Sequence, residues 1–108
     1  EVSPATLCID PEEIAKLINK NTKAVMPVHL YGQSADMHRI MEIAKKHNIS
    51  VIEDAAQGVG VKFDGKHVGT YGDLGILSFY GNKTITCGEG GILIFVLPRC
   101  KPLLVLHN

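Results

Sequence analysis

Residues 23–53 read KAVMPVHLYGQSADMHRIMEIAKKHNISVIE, and they contain two short apolar runs on either side of a helical pattern. The apolar runs are Lys23–Val28 and Ser50–Glu53, and between them apolar residues recur at the spacing of one helix face from Met37 to His47. A strand, a helix and a second strand in this order predict a βαβ unit with parallel strands. The predicted fold class is therefore α/β, with a mainly parallel sheet flanked by helices.

The residues on both sides of this unit extend the prediction. Upstream, Asp10 is an N-cap candidate and is followed by a proline at the first helical position, which predicts a first helix. Downstream, alternating apolar residues surround the turn Asp64-Gly65 and predict a small surface hairpin. Further strands are predicted over Gly75–Phe79 and Gly90–Val96, with the polar loop Tyr80–Glu89 between them.

The composition is that of a soluble globular chain with one α/β domain. The chain has 108 residues, of which 45% are hydrophobic and 20% are charged. Eleven basic residues balance eleven acidic ones, so nothing in the charge favours a nucleic-acid partner. We expect any anion to be bound locally.

Several absences predict a cytoplasmic fragment. The first residues, Glu1 to Pro4, do not form a signal peptide, and the apolar stretch Ile92–Leu97 is too short to span a membrane. The three cysteines have no CxxC spacing. We therefore interpret them as small hydrophobic side chains of a protein in a reducing compartment. No metal is expected, because four histidines lack ligand spacing and are predicted to lie at the surface: His38, His47, His67 and His107.

Polar clusters follow three of the predicted strands. In open parallel sheets ligands bind at the carboxyl ends of the strands, where the loops converge. The clusters are His29–Gln33, Asp54–Gln57 and Ser78–Lys83. We assign no catalytic role to the side chains of the first cluster, because core or loop packing explains them equally well.

Asp54 directly follows an apolar strand and is followed by Ala55 and Ala56. The alanines leave room for a flat ring, and a carboxylate here needs a partner such as a protonated pyridine nitrogen, which keeps it ionised. A helix N-cap is an equal alternative on the residues alone. Asp54 is therefore a candidate either for ring binding or for helix capping.

Lys83 lies in a polar loop after the strand that ends near Ser78. A lysine amine condenses with an aldehyde only in its deprotonated form, which burial favours. A solvated loop lysine is the alternative. Ser78, with nearby backbone N–H groups, can donate to a phosphate, although a serine in a strand is often only tolerated.

Three motifs together resemble the DegT/StrS family of sugar aminotransferases, which depend on pyridoxal phosphate (PLP). They are Pro27–Gln33, Val51–Gln57 and Ser78–Gly91, and they occur in the order of the family over about Thr6 to Phe95. The resemblance implies the PLP-dependent transferase fold type I, with residues 1–95 as part of the large PLP-binding domain. A dinucleotide-binding fold is disfavoured, because no GxGxxG follows an early strand.

The resemblance also implies roles for four residues. Lys83 forms the internal aldimine and moves the proton, Asp54 binds the pyridinium nitrogen, Gln57 contacts the ring or its 3-hydroxyl, and Ser78 binds the phosphate. The sequence of Tyr80–Thr86 is similar to that of perosamine synthase-like members, which use glutamate to aminate a GDP-linked 4-keto-6-deoxy sugar. Lys83 favours transamination, because some relatives with histidine there are dehydratases.

The chain departs from the family at its ends. Family members are longer and form homodimers, in which an upstream phosphate-binding loop and a downstream small domain complete the site. Residues 96–108 do not resemble the family, so we expect a truncated or frame-shifted product that is inactive alone and prone to associate. A noncatalytic remnant or binding module that retains the fold is the alternative function.

Overall fold

The computed structural model describes residues 1–96, so most of the predicted tail, from residue 97 to 108, lies outside the described residues. The elements in chain order are α1 (Pro11–Leu17), β1 (Ala24–Val25), α2 (Met37–His47), β2 (Ser50–Asp54), β3 (Lys62–Phe63), β4 (Lys66–His67), β5 (Leu74–Ser78) and β6 (Gly91–Phe95). Each helix and strand predicted from the sequence is present.

Both helices begin at a capping aspartate. Asp10 accepts a hydrogen bond of 2.9 Å from the backbone N–H of Glu12, and Asp36 accepts one of 3.1 Å from Arg39. Asn48 ends α2 with a left-handed backbone at φ 53°, a conformation that asparagine tolerates well. The local signals for both helices are therefore confirmed.

The main sheet has the strand order β1-β2-β5-β6. Strands β1, β2 and β5 are parallel, and β6 is antiparallel to β5, which confirms the mainly parallel sheet. Strand β1 is shorter than predicted, because Pro27 has no N–H to donate; its pairing with β2 resumes in an isolated bridge between Val28 and Asp54. Strands β3 and β4 form the predicted hairpin around Asp64 and Gly65, which both have positive φ.

The two faces of the main sheet differ in how far other elements pack against them. Two rows of paired residues illustrate this difference. Glu53, Gly75 and Ile94 form one row, and Asp54, Ile76 and Leu93 form the other. The face of Glu53, which also carries Val51, packs against both helices through a core that includes Ile14, Met37 and Ile40.

The opposite face carries the row Asp54, Ile76 and Leu93. Leu93 is 49% exposed, and Val28, which pairs with Asp54, is 38% exposed. We call this the open face. Among the described residues, no helix has the length and hydropathy needed to cross a membrane.

Candidate active site at the carboxyl edge of the sheet

Asp54 and Ser78 are the last residues of the neighbouring parallel strands β2 and β5. Asp54 pairs with Ile76, so Ser78 lies two positions further along β5. Side chains two positions apart on a strand point to the same face. The two residues therefore both lie on the open face, at the carboxyl edge of the sheet.

The Asp54 carboxylate closes a tight turn. Its Oδ1 accepts a hydrogen bond of 3.0 Å from the backbone N–H of Ala56. No helix begins after Asp54, so the helix N-cap alternative is wrong. Oδ2 has no hydrogen-bond partner within residues 1–96, which leaves it available to a ligand.

Lys83 and Gln57 line one open pocket of about 470 Å³. The loop after β2 contributes Gln57, and the loop between β5 and β6 contributes Lys83, which is half-buried. The other lining residues are Tyr31, Gly32, Ala56, Val59, Val61, Asn82 and Thr84. Asp54 and Ser78 are not among the lining residues.

The loop that carries Lys83 is closed at its base by hydrogen bonds to Phe79. The Phe79 N–H donates to Gly90 O at 2.8 Å, and Phe79 O accepts from the N–H of Cys87 at 3.1 Å and from Thr86 Oγ1 at 3.0 Å. At the tip, a turn forms when the Lys83 N–H donates to Tyr80 O at 2.9 Å. The Lys83 amine has no hydrogen-bond or ion-pair partner in the described part of the chain.

Gln57 is oriented by the loop that follows β1. Its Oε1 accepts a hydrogen bond of 3.0 Å from the backbone N–H of Tyr31. Because the oxygen is used in this way, the Nε2 donors are left for another acceptor, and none of the described residues bonds to them. Tyr31 and Gly32 both have positive φ, so a tight turn presents them at the wall of the pocket.

The structure thus brings Lys83 and Gln57 together in one pocket, and it places Asp54 and Ser78 together on the open face of the sheet edge. Ser78 Oγ accepts a long hydrogen bond of 3.4 Å from the Tyr80 N–H, and its own hydroxyl proton remains available to an anion. The roles assigned to these four residues stay predictions.

Glu53 is the residue whose importance the sequence analysis missed. It is 0% exposed, and four N–H groups donate to it: His29 and Gly69 to Oε2 at 3.0 and 2.6 Å, and Tyr71 and Gly72 to Oε1 at 2.5 and 2.6 Å. Burial raises the pKa of Glu53, but the hydrogen bonds from His29 and from the three backbone groups outweigh this effect, so its pKa lies below the ordinary value. Glu53 is therefore an ionised carboxylate in the core.

The histidines and cysteines outside this network have varied surroundings. His38 and His47 are exposed as predicted, whereas His67 is half-buried and accepts a hydrogen bond of 2.9 Å from the Gly60 N–H. Cys8 is buried, Cys87 is exposed, and Cys100 and His107 lie outside the described residues. Within residues 1–96 no group of His, Cys, Asp and Glu side chains could hold a metal ion.

Comparison with known proteins decides the family. The model of the DegT/DnrJ/EryC1/StrS aminotransferase family matches residues 1–101. The chain belongs to this family. The resemblance of the three sequence motifs is thereby confirmed.

Two curated relatives of this family member are GDP-perosamine synthases. That of Escherichia coli O157:H7 is 54% identical over 82 residues, which are 76% of this chain and 22% of the relative. That of Caulobacter vibrioides is 52% identical over 90 residues, which are 83% of this chain and 24% of the relative. The chain therefore spans about a quarter of the length of these relatives.

Solved structures of aminotransferases match the fold. An aminotransferase from Psychrobacter cryohalolentis is 43% identical with a TM-score of 0.85, over 89% of this chain and 24% of that one. NtdA from Bacillus subtilis, solved with the bound cofactor PMP, is 41% identical with a TM-score of 0.79, over 89% of this chain and 21% of that one. These matches confirm the predicted fold class, a partial PLP-dependent transferase fold.

Proposed function

We propose that this chain is part of a PLP-dependent aminotransferase that transfers an amino group from glutamate to a nucleotide-linked keto sugar. The sugar is a GDP-linked 4-keto-6-deoxy sugar. Membership of the aminotransferase family and the identity of 52–54% with two GDP-perosamine synthases support this proposal.

One observation carries the proposal. Lys83 and Gln57 come from loops that follow different strands, and they line the same pocket of about 470 Å³. This volume is in the range of small-molecule sites, roughly 300–1,000 Å³. The Lys83 amine has no partner among residues 1–96, so it is free to contact an aldehyde that binds in this pocket.

The groups at this edge of the sheet fit pyridoxal phosphate. Gly32 and Ala56 carry no bulky side chain into the pocket, which leaves room for a flat ring. Within the described residues, Asp54 Oδ2 and the Ser78 hydroxyl proton have no partner, so the first could pair with a ring nitrogen and the second with a phosphate oxygen. Gln57 Nε2 supplies further donors to a ring oxygen.

When bound, the cofactor supplies an electron sink that stabilises negative charge at the carbon that gains or loses a proton. Lys83 would hold the cofactor aldehyde through its amine and would hold and move the proton. Asp54 would pair with the ring nitrogen and favour its protonated form, because opposite charges attract each other. Ser78 would bind the phosphate, and Gln57 would orient the ring.

The cytoplasmic location and the homodimer expected from the sequence belong to the same proposal.

The pocket is open to solvent, and the chain spans about a quarter of the length of its relatives, so further polypeptide is needed to exclude water from the site. We therefore expect turnover only when residues 1–96 stand within a polypeptide of the relatives' length.

The first experiment asks whether Lys83 reacts with the cofactor. The 108-residue chain is incubated with PLP, reduced with borohydride and digested, and the mass of each lysine peptide is measured. We expect the added mass on the Lys83 peptide. Lys83→Ala should remove this adduct, and Lys46→Ala, which changes an exposed lysine of α2, should leave it unchanged.

The second experiment tests amino transfer. The matching segment of Caulobacter vibrioides GDP-perosamine synthase is replaced by the residues of this chain, and the chimera is assayed with a GDP-linked 4-keto-6-deoxy sugar and either glutamate or glutamine. Amination with glutamate is expected, with loss of turnover in Lys83→Ala. An adduct-free chain together with an inactive but folded chimera would instead favour the noncatalytic remnant.

A further inference from the structure

The buried Glu53 carboxylate does not line the pocket. It lies on the covered face of β2, and the next residue, Asp54, lies on the open face. An ionised carboxylate in a core is costly unless its hydrogen bonds are complete. Both oxygens of Glu53 are fully occupied, by His29 and by the backbone N–H groups of Gly69, Tyr71 and Gly72. These five residues form the Glu53 network.

His29 connects this network to the loop after β1. The backbone N–H of Ala35 donates to His29 Nδ1 at 3.2 Å, so the ring proton is on Nε2 and is donated to Glu53. The imidazole therefore holds both the beginning and the end of the segment between residues 29 and 35. His29 is 0% exposed, so water cannot replace either contact.

The segment held by His29 is a wall of the pocket. It contains Tyr31 and Gly32, which line the pocket, and the Tyr31 N–H that orients Gln57. The backbone of His29 is also bonded to the cofactor-side strand end, because its N–H donates to Asp54 O at 2.9 Å. One chain of contacts thus runs from Glu53 through His29 to Gln57 and Asp54.

We propose that Glu53 and His29 are positioning residues for the cofactor site: the Glu53 network holds the loop of residues 30–34 and the end of β2 in the arrangement that lets Gln57 and Asp54 meet the cofactor. The inference rests on the proposed function. A core carboxylate that served stability alone would need no connection to the loop, whereas here the His29 ring bonds the buried Glu53 on one side and the Ala35 N–H, at the end of the loop, on the other.

His29 variants separate positioning from general stability. The amide of His29→Gln can still accept from Ala35 and donate to Glu53, whereas His29→Leu fills space without either bond. Amide hydrogen exchange and PLP affinity are measured on the full 108-residue chain without and with PLP, under conditions in which circular dichroism shows that each variant is folded. Glu53→Gln is measured in parallel, because it keeps the shape and loses two acceptor sites.

For His29→Leu we expect exchange of amides 30–35 to rise by about tenfold or more while exchange in β5 and β6 changes little, and the Kd for PLP to rise by about tenfold. His29→Gln should stay within about threefold of the wild type in both. An unchanged Kd in folded His29→Leu, or equal loss in His29→Gln and His29→Leu, would overturn the positioning role.

The same data distinguish this inference from the proposed function. If the wild-type chain forms no borohydride-stable adduct at Lys83, the proposed function fails and the positioning inference fails with it. If the adduct forms in the wild type and forms as readily in His29→Leu, only the positioning inference fails. If Glu53→Gln and His29→Leu fail to fold, amide hydrogen exchange of residues 30–35 is measured in His29→Gln alone. Exchange about tenfold faster in this variant than in the wild type overturns the inference.

Discussion

His29 and Glu53 are joined by a hydrogen bond of 3.0 Å between Nε2 and Oε2, and both side chains are 0% exposed. The histidine donates as a neutral ring, since its Nδ1 accepts from the Ala35 N–H. The negative charge of Glu53 is therefore balanced by N–H dipoles and not by a buried cation. This arrangement makes the protonation state of Glu53 important for the stability of the fold.

Glu53 should make the stability of the chain depend on acid pH. Its pKa in the folded state lies below the ordinary value of 4.5, so its contribution to the free energy of unfolding is complete above about pH 4.5 and is lost as the pH falls through the lowered folded value. At neutral pH, Glu53→Gln should lower the free energy of unfolding by about 3 kcal/mol or more, and this difference should shrink in acid.

Denaturant titrations of the wild type and Glu53→Gln over a series of pH values test this dependence. Glu42→Gln is the matched control, because Glu42 is exposed and contacts Arg39 at the surface. A difference between wild type and Glu53→Gln that does not change between neutral and acid pH would show that Glu53 is protonated in the fold.

Local signals allowed the helices and the hairpin to be predicted. The cap at Asp36 and the turn at Asp64 act within a few residues, so their effects are visible in the sequence. Strand β1 was predicted too long, because the loss of an N–H at Pro27 matters only once the partner strand is known.

The candidate site was predicted in part for a related reason. Asp54 and Ser78 end strands, and Gln57 and Lys83 lie in the loops that follow them, where sheet topology alone brings functional groups together. Glu53 was missed because three of its four partners are backbone N–H groups, which leave no mark in the sequence. The available signal was a charged residue two positions after Val51, on the buried side of a strand.

Gly75 should be intolerant of any side chain. A Cβ there would lie 1.9 Å from Gly69 O, and Gly69 is the residue whose N–H donates to Glu53 at 2.6 Å. Gly75→Ala therefore forces the Gly69 backbone away from the carboxylate. We expect a loss of about 3 kcal/mol or more in the free energy of unfolding, measured with urea.

Gly81→Ala is the control for this substitution, because the nearest atom to its added Cβ is Gly88 O at 3.8 Å, an ordinary contact. It should change the stability by less than about 0.5 kcal/mol. Equal stability of the two variants would mean that Gly69 can move without disturbing the Glu53 network.

The open face of the sheet should cause the chain to associate. Parallel sheets are normally covered on both faces, and here Leu93 is 49% exposed on the uncovered one. Leu93→Ser should weaken self-association in sedimentation equilibrium by about tenfold, with a change in stability below about 1 kcal/mol. The neighbouring Ile94 lies on the face of Glu53 and is half-buried, so Ile94→Ser should lower the stability by more than Leu93→Ser does.

Sedimentation equilibrium of a chain that ends at residue 96 distinguishes association through the open face from association through residues 97–108. If association disappears on truncation and is unaffected by Leu93→Ser in the full chain, the apolar tail is responsible and the open face is not.

Gln57 should contribute to cofactor binding through its nitrogen, because its oxygen is already bonded to the Tyr31 N–H at 3.0 Å. Gln57→Glu keeps an acceptor for Tyr31 and removes the N–H donors, whereas Gln57→Ala removes both. We expect each variant to raise the Kd for PLP by about tenfold, but only Gln57→Ala to speed exchange of the Tyr31 amide. A normal Kd in Gln57→Glu would mean that the Gln57 nitrogen makes no contact with the cofactor, and that the residue serves only to hold the Tyr31 loop against the pocket.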